Sequence, residues 1–96
     1  TMADNSMMGN VSQVEQYGKS LNQVQQQMRE IFKKLQQQTN SIGNIWKDDR
    51  FKNFEQEFNQ TIVKNVNEVT AKMELMSNYV KKMVEIHRQA QSQKIF

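Results

Sequence analysis

The chain has no cysteine and no proline, and only three glycines, one histidine and one tryptophan among its 96 residues. Without cysteine there is neither a disulfide framework nor a thiolate metal site, and one histidine is too few for the common imidazole-rich metal sites. No cofactor is expected. No run approaches the ~18 consecutive apolar residues of a membrane span. Residues 1–10 carry neither the basic head nor the apolar core of a cleaved secretory signal. The protein is therefore expected to start out in the cytoplasm, and to be secreted, if it is, without a cleaved signal. With the glycines confined to positions 9, 18 and 43, the chain is nearly free of helix breakers. Its length allows one domain, and apolar packing alone must stabilise it.

What is present is a helical pattern. From Met7 the apolar positions recur in steps of three and four through Val14, Tyr17, Leu21, Val24, Met28, Ile31, Leu35, Ile42 and Ile45, broken only at Gln38. Val11 and Phe32 add a second row, and a stripe this wide suits a bundle helix better than a bare two-stranded coiled coil. The glutamine runs at 25–27 and 36–38 straddle the seam and are expected to be a solvated face built of good helix formers. The pattern stops at Gly43, where a left-handed cap is expected, and Asp48-Asp49 then supply an N-cap and negative charge for a second helix. Its inward residues are expected to be Phe51, Phe54, Phe58, Ile62, Val66, Val69, Met73, Met76, Val80, Met83, Ile86 and Ala90.

The fold class that follows is all-α: an antiparallel helical hairpin with helix 1 over about 11–42, a turn over about 43–47 and helix 2 over about 48–92. Residues 1–10 and 93–96 lack core periodicity and are expected to be flexible. A lone hairpin buries one side of each helix, which would leave a second row of Val11, Phe32, Val63, Tyr79 and Val84 in water. Two hairpins joined as a four-helix bundle would cover it. The dimer and core stripe is accordingly Val14, Tyr17, Leu21, Val24, Met28, Ile31, Phe32, Leu35, Phe58, Ile62, Val66, Val69, Met73 and Met76. A kink in helix 2 that lets the hairpin cover itself is the competing arrangement.

Catalytic patterns are missing. His87 has no second histidine and no carboxylate three or four residues on, and fits a boundary position against a neighbouring helix. The paired acids Asp48/Asp49 and Glu55/Glu57 point to different faces of a helix, so shared-proton chemistry would need a third element. No nucleophile elbow, phosphate loop or zincin motif occurs. The chain reads as a non-enzyme with no small-molecule substrate. Its net charge of +3 invites a nucleic-acid partner, yet bases alternate with acids, as in Lys47-Asp48-Asp49-Arg50, and no single-sign stripe forms.

One residue stands outside the bundle pattern. Trp46 lies in the interhelical break and is followed by Asp48, Phe51 and Phe54. It can close the end of the core, or it can mark a recognition turn made of Trp46, Asp48, Phe51 and Phe54. Here the chain resembles the Trp-x-Gly (WXG) family, the early-secretory-antigen-like substrates of bacterial type VII secretion. The likeness lies in a length near 100 residues, two long helices, the absence of cysteine, a central Trp46 and an aromatic, Phe54, eight residues later. In place of the family's glycine two residues after the tryptophan stands Asp48, a residue that still suits a turn and a cap. The family's Tyr-x-x-x-Asp/Glu export signal is missing, since Leu21 follows Tyr17 and Met83 follows Tyr79 at that spacing. If the usual route is used, that signal belongs to a partner chain.

The resemblance implies a small secreted or secretion-associated protein that acts by protein–protein recognition, as a substrate or as carrier of an effector. Its partners would be itself in a homodimer or a related small helical protein, together with a secretion ATPase or a larger effector. Two further readings stand beside it: a filament or needle-type hairpin subunit of a secretion apparatus, and a cytosolic bundle protein that touches nucleic acid.

Overall fold

The computed structural model describes residues 2–93, with side chains described for residues 10–92. The fold is all-α and has the form of a helical hairpin. Helix α1 spans Met2–Ile45; after a short turn come α2 (Asp49–Glu57), a six-residue π segment (Phe58–Val63) and α3 (Lys64–Gln93). Among the described residues there is no strand. Helix α1 starts well before residue 11, so residues 2–10 are helical; the expectation for residues 1 and 94–96 lies outside the described residues.

Its far end also differs from expectation. Gly43 lies inside α1 with no positive φ, and the Trp46 N–H donates to the Ile42 carbonyl at 2.7 Å, so the helical bonding runs through the glycine. The reason for a glycine there is space: a Cβ at Gly43 would run into the Glu55 carboxylate and come within 3.2 Å of the Phe51 ring.

Two compact units are formed. One joins residues up to Val24 with those from Met73 onward, and the other is Gln25–Lys72. In the first, the helices pair antiparallel at close range. The Ser77 hydroxyl donates to the Gly18 carbonyl at 2.7 Å, and Arg88 donates to Glu15 at 2.5 Å. A side chain at Gly18 would meet Val80 Cγ1 at 2.9 Å, so glycine is what lets the backbones approach. In the second unit, Phe32 stacks on Phe58 with centroids 5.7 Å apart, and Gly43 faces Phe51 and Glu55. That pairing is antiparallel too.

The seam between the helices follows the row that periodicity selects only in part: Phe32, Phe51, Phe58, Val66, Met73 and Val80 lie in it as expected, whereas most of the α1 row does not. On α1 the residues turned to the other helix are Val11, Glu15, Gly18, Asn22, Gln25, Phe32, Gln36, Thr39 and Gly43. Across from them lie Phe51, Glu55, Phe58, Val63, Val66, Thr70, Met73, Ser77, Val80, Val84 and His87, all buried or half-buried. Gln25 and Thr70 are only 3% and 1% exposed, while Val80 and Val84 form the buried apolar part. Buried hydroxyls are tolerable because they are paired: Thr70 donates to the Val66 carbonyl of its own helix at 2.8 Å, and Ser77 to Gly18 across the seam.

The second row expected in water is thus largely inside. Val11, Phe32 and Val63 are half-buried and Val84 is buried, whereas Tyr79 is exposed. The expected core row is instead exposed at Val14, Tyr17, Val24, Ile31, Leu35, Phe54, Ile62, Val69, Met76, Met83 and Ile86. Leu21 and Met28 sit half-buried between the two rows.

Candidate functional site

The π segment controls which residues of the second helical run reach the seam. It contains Thr61-Ile62-Val63, three β-branched residues in succession whose side chains crowd the preceding turn of an α-helix. Before it the seam row is Phe51, Glu55, Phe58; after it the row is Val63, Val66, Thr70. An uninterrupted α-helix, at 3.6 residues per turn, would instead carry Ile62 and Val69 into the seam. One additional residue in the widened turn accounts for the change of row.

On both helical runs the exposed apolar row lies one residue before the seam row. Tyr17, Val24, Ile31, Leu35 and Ile42 precede Gly18, Gln25, Phe32, Gln36 and Gly43; Ile62, Val69, Met76, Met83 and Ile86 precede Val63, Thr70, Ser77, Val84 and His87. A step back of one residue turns the side chain by about 100° round a helix axis. Because the two helical runs point in opposite directions, equal backward steps turn both rows toward the same side of the pair. Each unit therefore has one apolar face. In the first it is Val14, Tyr17 and Val24 with Met76, Tyr79, Met83 and Ile86; in the second it is Ile31, Leu35 and Ile42 with Phe54, Ile62 and Val69, all exposed. The rows one residue after the seam are polar in both units but for Ala71, with Lys19, Lys81, Glu85 and Arg88 in the first and Gln26, Lys33, Lys52 and Lys64 in the second.

The turn forms a second feature in the Gln25–Lys72 unit, and here the four residues singled out from the sequence do come together. Asp48 takes the extended backbone of an N-cap, and its Oδ1 accepts the Phe51 N–H at 2.9 Å. Its Oδ2 accepts the Trp46 indole N–H at 2.6 Å. One carboxylate thus starts α2 and holds the indole. These bonds keep the Asp48 carboxyl below the usual range, the Trp46 N–H being the larger cause and the backbone N–H groups of Phe51 and Arg50 following. Phe51 packs on Phe54 at 5.6 Å, and Phe54 on Phe58 at 6.1 Å. Trp46 itself remains 60% exposed, so it does not act as a buried plug. With Ile42, Arg50, Phe51 and Phe54 it lines a shallow cavity of about 400 Å³. Ile42 and Arg50 were not among the residues the sequence suggested for the turn.

In the other unit Glu15, Lys19, Lys81 and Arg88 rim a groove of about 380 Å³ on the polar side. The Glu15 carboxyl is held low, chiefly by the hydrogen bond from Arg88. Both signs of charge line this groove, so it has no preference for a ligand of one sign. Among the described residues, no group of three or more His, Cys, Asp or Glu side chains is placed to hold a metal ion, and no helix is long and apolar enough to cross a membrane.

No protein-family model matches the chain, nor does any curated protein or solved structure. The site is therefore argued from its own geometry: two apolar helix rows uncovered on one side of each unit, and an aromatic turn pinned open by Asp48.

Proposed function

We propose that the protein is a non-enzymatic, secretion-associated helical-hairpin protein of the WXG type, which works by presenting surfaces to other proteins. It is handed to a secretion apparatus, or carries a larger effector to it, after leaving the cytoplasm without a cleaved signal. The observation that carries the reading is the uncovered apolar face. Isolated surface apolar residues need no explanation, whereas rows of Val, Ile, Met and Tyr repeated along both helices mark an interaction surface. Covering it with a second copy, or with a related small helical protein, builds a four-helix bundle. The aromatic turn then stays free to meet an apparatus protein, because its apolar cavity is framed by Trp46 and Phe54, the kind of side chain that anchors interfaces.

The test is made in two parts. Light scattering on the pure protein at tens of micromolar should return about twice the 11.4 kDa of one chain. Export or pull-down from the native host should fall when Trp46 is replaced by alanine, while the mass stays that of the dimer. A fully helical protein that remains at the mass of one chain would remove the self-association half of the reading.

A further inference from the structure

We infer that the aromatic turn takes as its occupant a segment of another protein in which one large apolar side chain stands between carboxylates. The side chain enters the cavity framed by Trp46, and the carboxylates pair with Arg50 and Lys34. The partner's chemistry is thereby named for the recognition turn proposed above, on whose existence it rests.

The receiving surface is built in advance. The 2.6 Å bond to Asp48 holds the Trp46 indole while it stays 60% exposed, so the freedom of this side chain is lost on folding and not on binding. The cavity it frames, of about 400 Å³, lies within the ~300–1,000 Å³ of ordinary ligand clefts. Its walls are Ile42, Trp46, Phe51 and Phe54, with Arg50 as the single charged residue. A second shallow cavity, of about 590 Å³, shares Ile42 with the first and adds Lys34 beside Gln37, Gln38 and Ser41.

Charge selects the occupant. The two cavities are lined by two cations and no carboxylate. Among the described residues, neither the Arg50 guanidinium nor the Lys34 ammonium has an ion pair or a side-chain hydrogen bond. The nearest carboxylates are engaged elsewhere: Asp48 by the indole and the backbone N–H groups of Phe51 and Arg50, Glu55 against Gly43. Glu30, Lys33, Lys47, Asp49, Lys52 and Glu57 line neither cavity. An apolar recess beside an unpaired guanidinium is complementary to an apolar side chain beside a carboxylate, which the planar fork can hold by two parallel bonds. An anionic membrane is a poorer match, because surface attraction to lipid needs a cluster of cations, and this recess offers two set on either side of Ile42.

Trp46 reports its own occupancy, since it is the sole tryptophan. The probe is a synthetic peptide with one central leucine flanked on each side by two aspartates, compared with the same peptide carrying asparagines. Titration followed by Trp46 fluorescence should give saturable binding of the aspartate peptide, with the asparagine peptide about tenfold weaker or more. Arg50→Gln should weaken the aspartate peptide about tenfold and Lys34→Gln about threefold, while both leave the asparagine peptide unchanged. Lys81→Gln makes the same change of net charge in the other unit and should stay within about twofold. Circular dichroism on each variant should match the unaltered chain. Equal binding of the two peptides overturns the inference, and so does a loss at Lys81→Gln as large as at Arg50→Gln, which would reduce it to net-charge attraction. A fluorescence change produced by phosphatidylglycerol vesicles, or by raising the protein's own concentration, but not by the aspartate peptide would assign the cavity to a membrane or to a second copy and also overturn it. In those cases an export defect of Trp46→Ala in the native host leaves the recognition turn standing with a different chemistry. Unchanged export of Trp46→Ala removes the turn's role, and this inference with it.

Discussion

At the residue scale, Asp48 and Gly18 act in opposite ways: one supplies bonds, the other supplies nothing and is needed for that. Asp48 satisfies a free N–H at the start of α2 and fixes the Trp46 indole with its second oxygen. Replacing it with alanine should lower the melting temperature by a few degrees and shift Trp46 fluorescence, the chain's sole tryptophan signal. Since folding depresses the Asp48 and Glu15 carboxyls, their contribution is complete above the usual carboxylate range. It is lost as pH falls through their lowered values. Acid titration followed by Trp46 fluorescence should therefore be flat from neutral pH down to that range and break only below it; a transition near pH 6 would assign the turn to a different group. At Gly18 the competing effects can be weighed. Alanine gains ~1 kcal/mol of helix propensity, but its Cβ would sit 2.9 Å from Val80 Cγ1. A leucine gains almost as much propensity but brings a whole side chain against Val80, and Gly18→Leu should destabilise the fold by about 2 kcal/mol in chemical denaturation.

At the scale of the element, neighbouring positions on one helix have different roles. Thr70 is buried with its hydroxyl bonded to Val66, and Val69, one residue earlier, is 47% exposed on the outer face. Thr70→Asp should unfold the hairpin, because an unpaired carboxylate in the seam costs several kcal/mol. Val69→Asp should leave the dilute monomer folded and abolish its association. Circular dichroism on both variants, beside sedimentation, tests the register: a Val69→Asp protein that loses its helicity when monomeric would place Val69 in the seam. The same logic separates Gln25, 3% exposed, from Gln26, which lies on the solvated side. Substituting aspartate at position 26 should do little.

For the whole molecule, the proposed self-association would make stability depend on concentration. If folding and association are linked, the melting temperature should rise with protein concentration, as mass action requires for a dimer. A melting temperature constant over a hundredfold range of concentration would indicate that each chain is stable without a partner. Among the described residues the hairpin buries few large apolar side chains, with Val80 and Val84 as the buried aliphatics and polar Gln25, Thr70 and Ser77 beside them. It should accordingly be marginal by itself.

How much of this was legible in the sequence depends on the kind of information each feature uses. Helices, their number and the break near Trp46 follow from periodicity and from the lack of glycine and proline, both local properties. The N-cap at Asp48 and the gathering of Trp46, Phe51 and Phe54 were legible because all four lie within nine consecutive residues. The end of α1 was misread because Gly43 serves close packing against Phe51 and Glu55, a contact between distant parts of the chain. Which residues would be core was read only in part for a related reason: Phe32, Phe58, Val66 and Met73 are in the seam, but Tyr17, Val24, Ile31, Ile62 and Val69 are not. Periodicity identifies an apolar row but does not say whether it is buried by the chain's own second helix or left for a partner. The tertiary structure decided that, through the small residues Gly18 and Ser77, which let the backbones approach, and through the π segment, which moves the second helix by one residue. Sequence by itself determined the helical hairpin and its aromatic turn, because both arise from neighbours along the chain. Only the tertiary structure turned the apolar rows outward, because the seam is chosen by the closest approach two backbones can make.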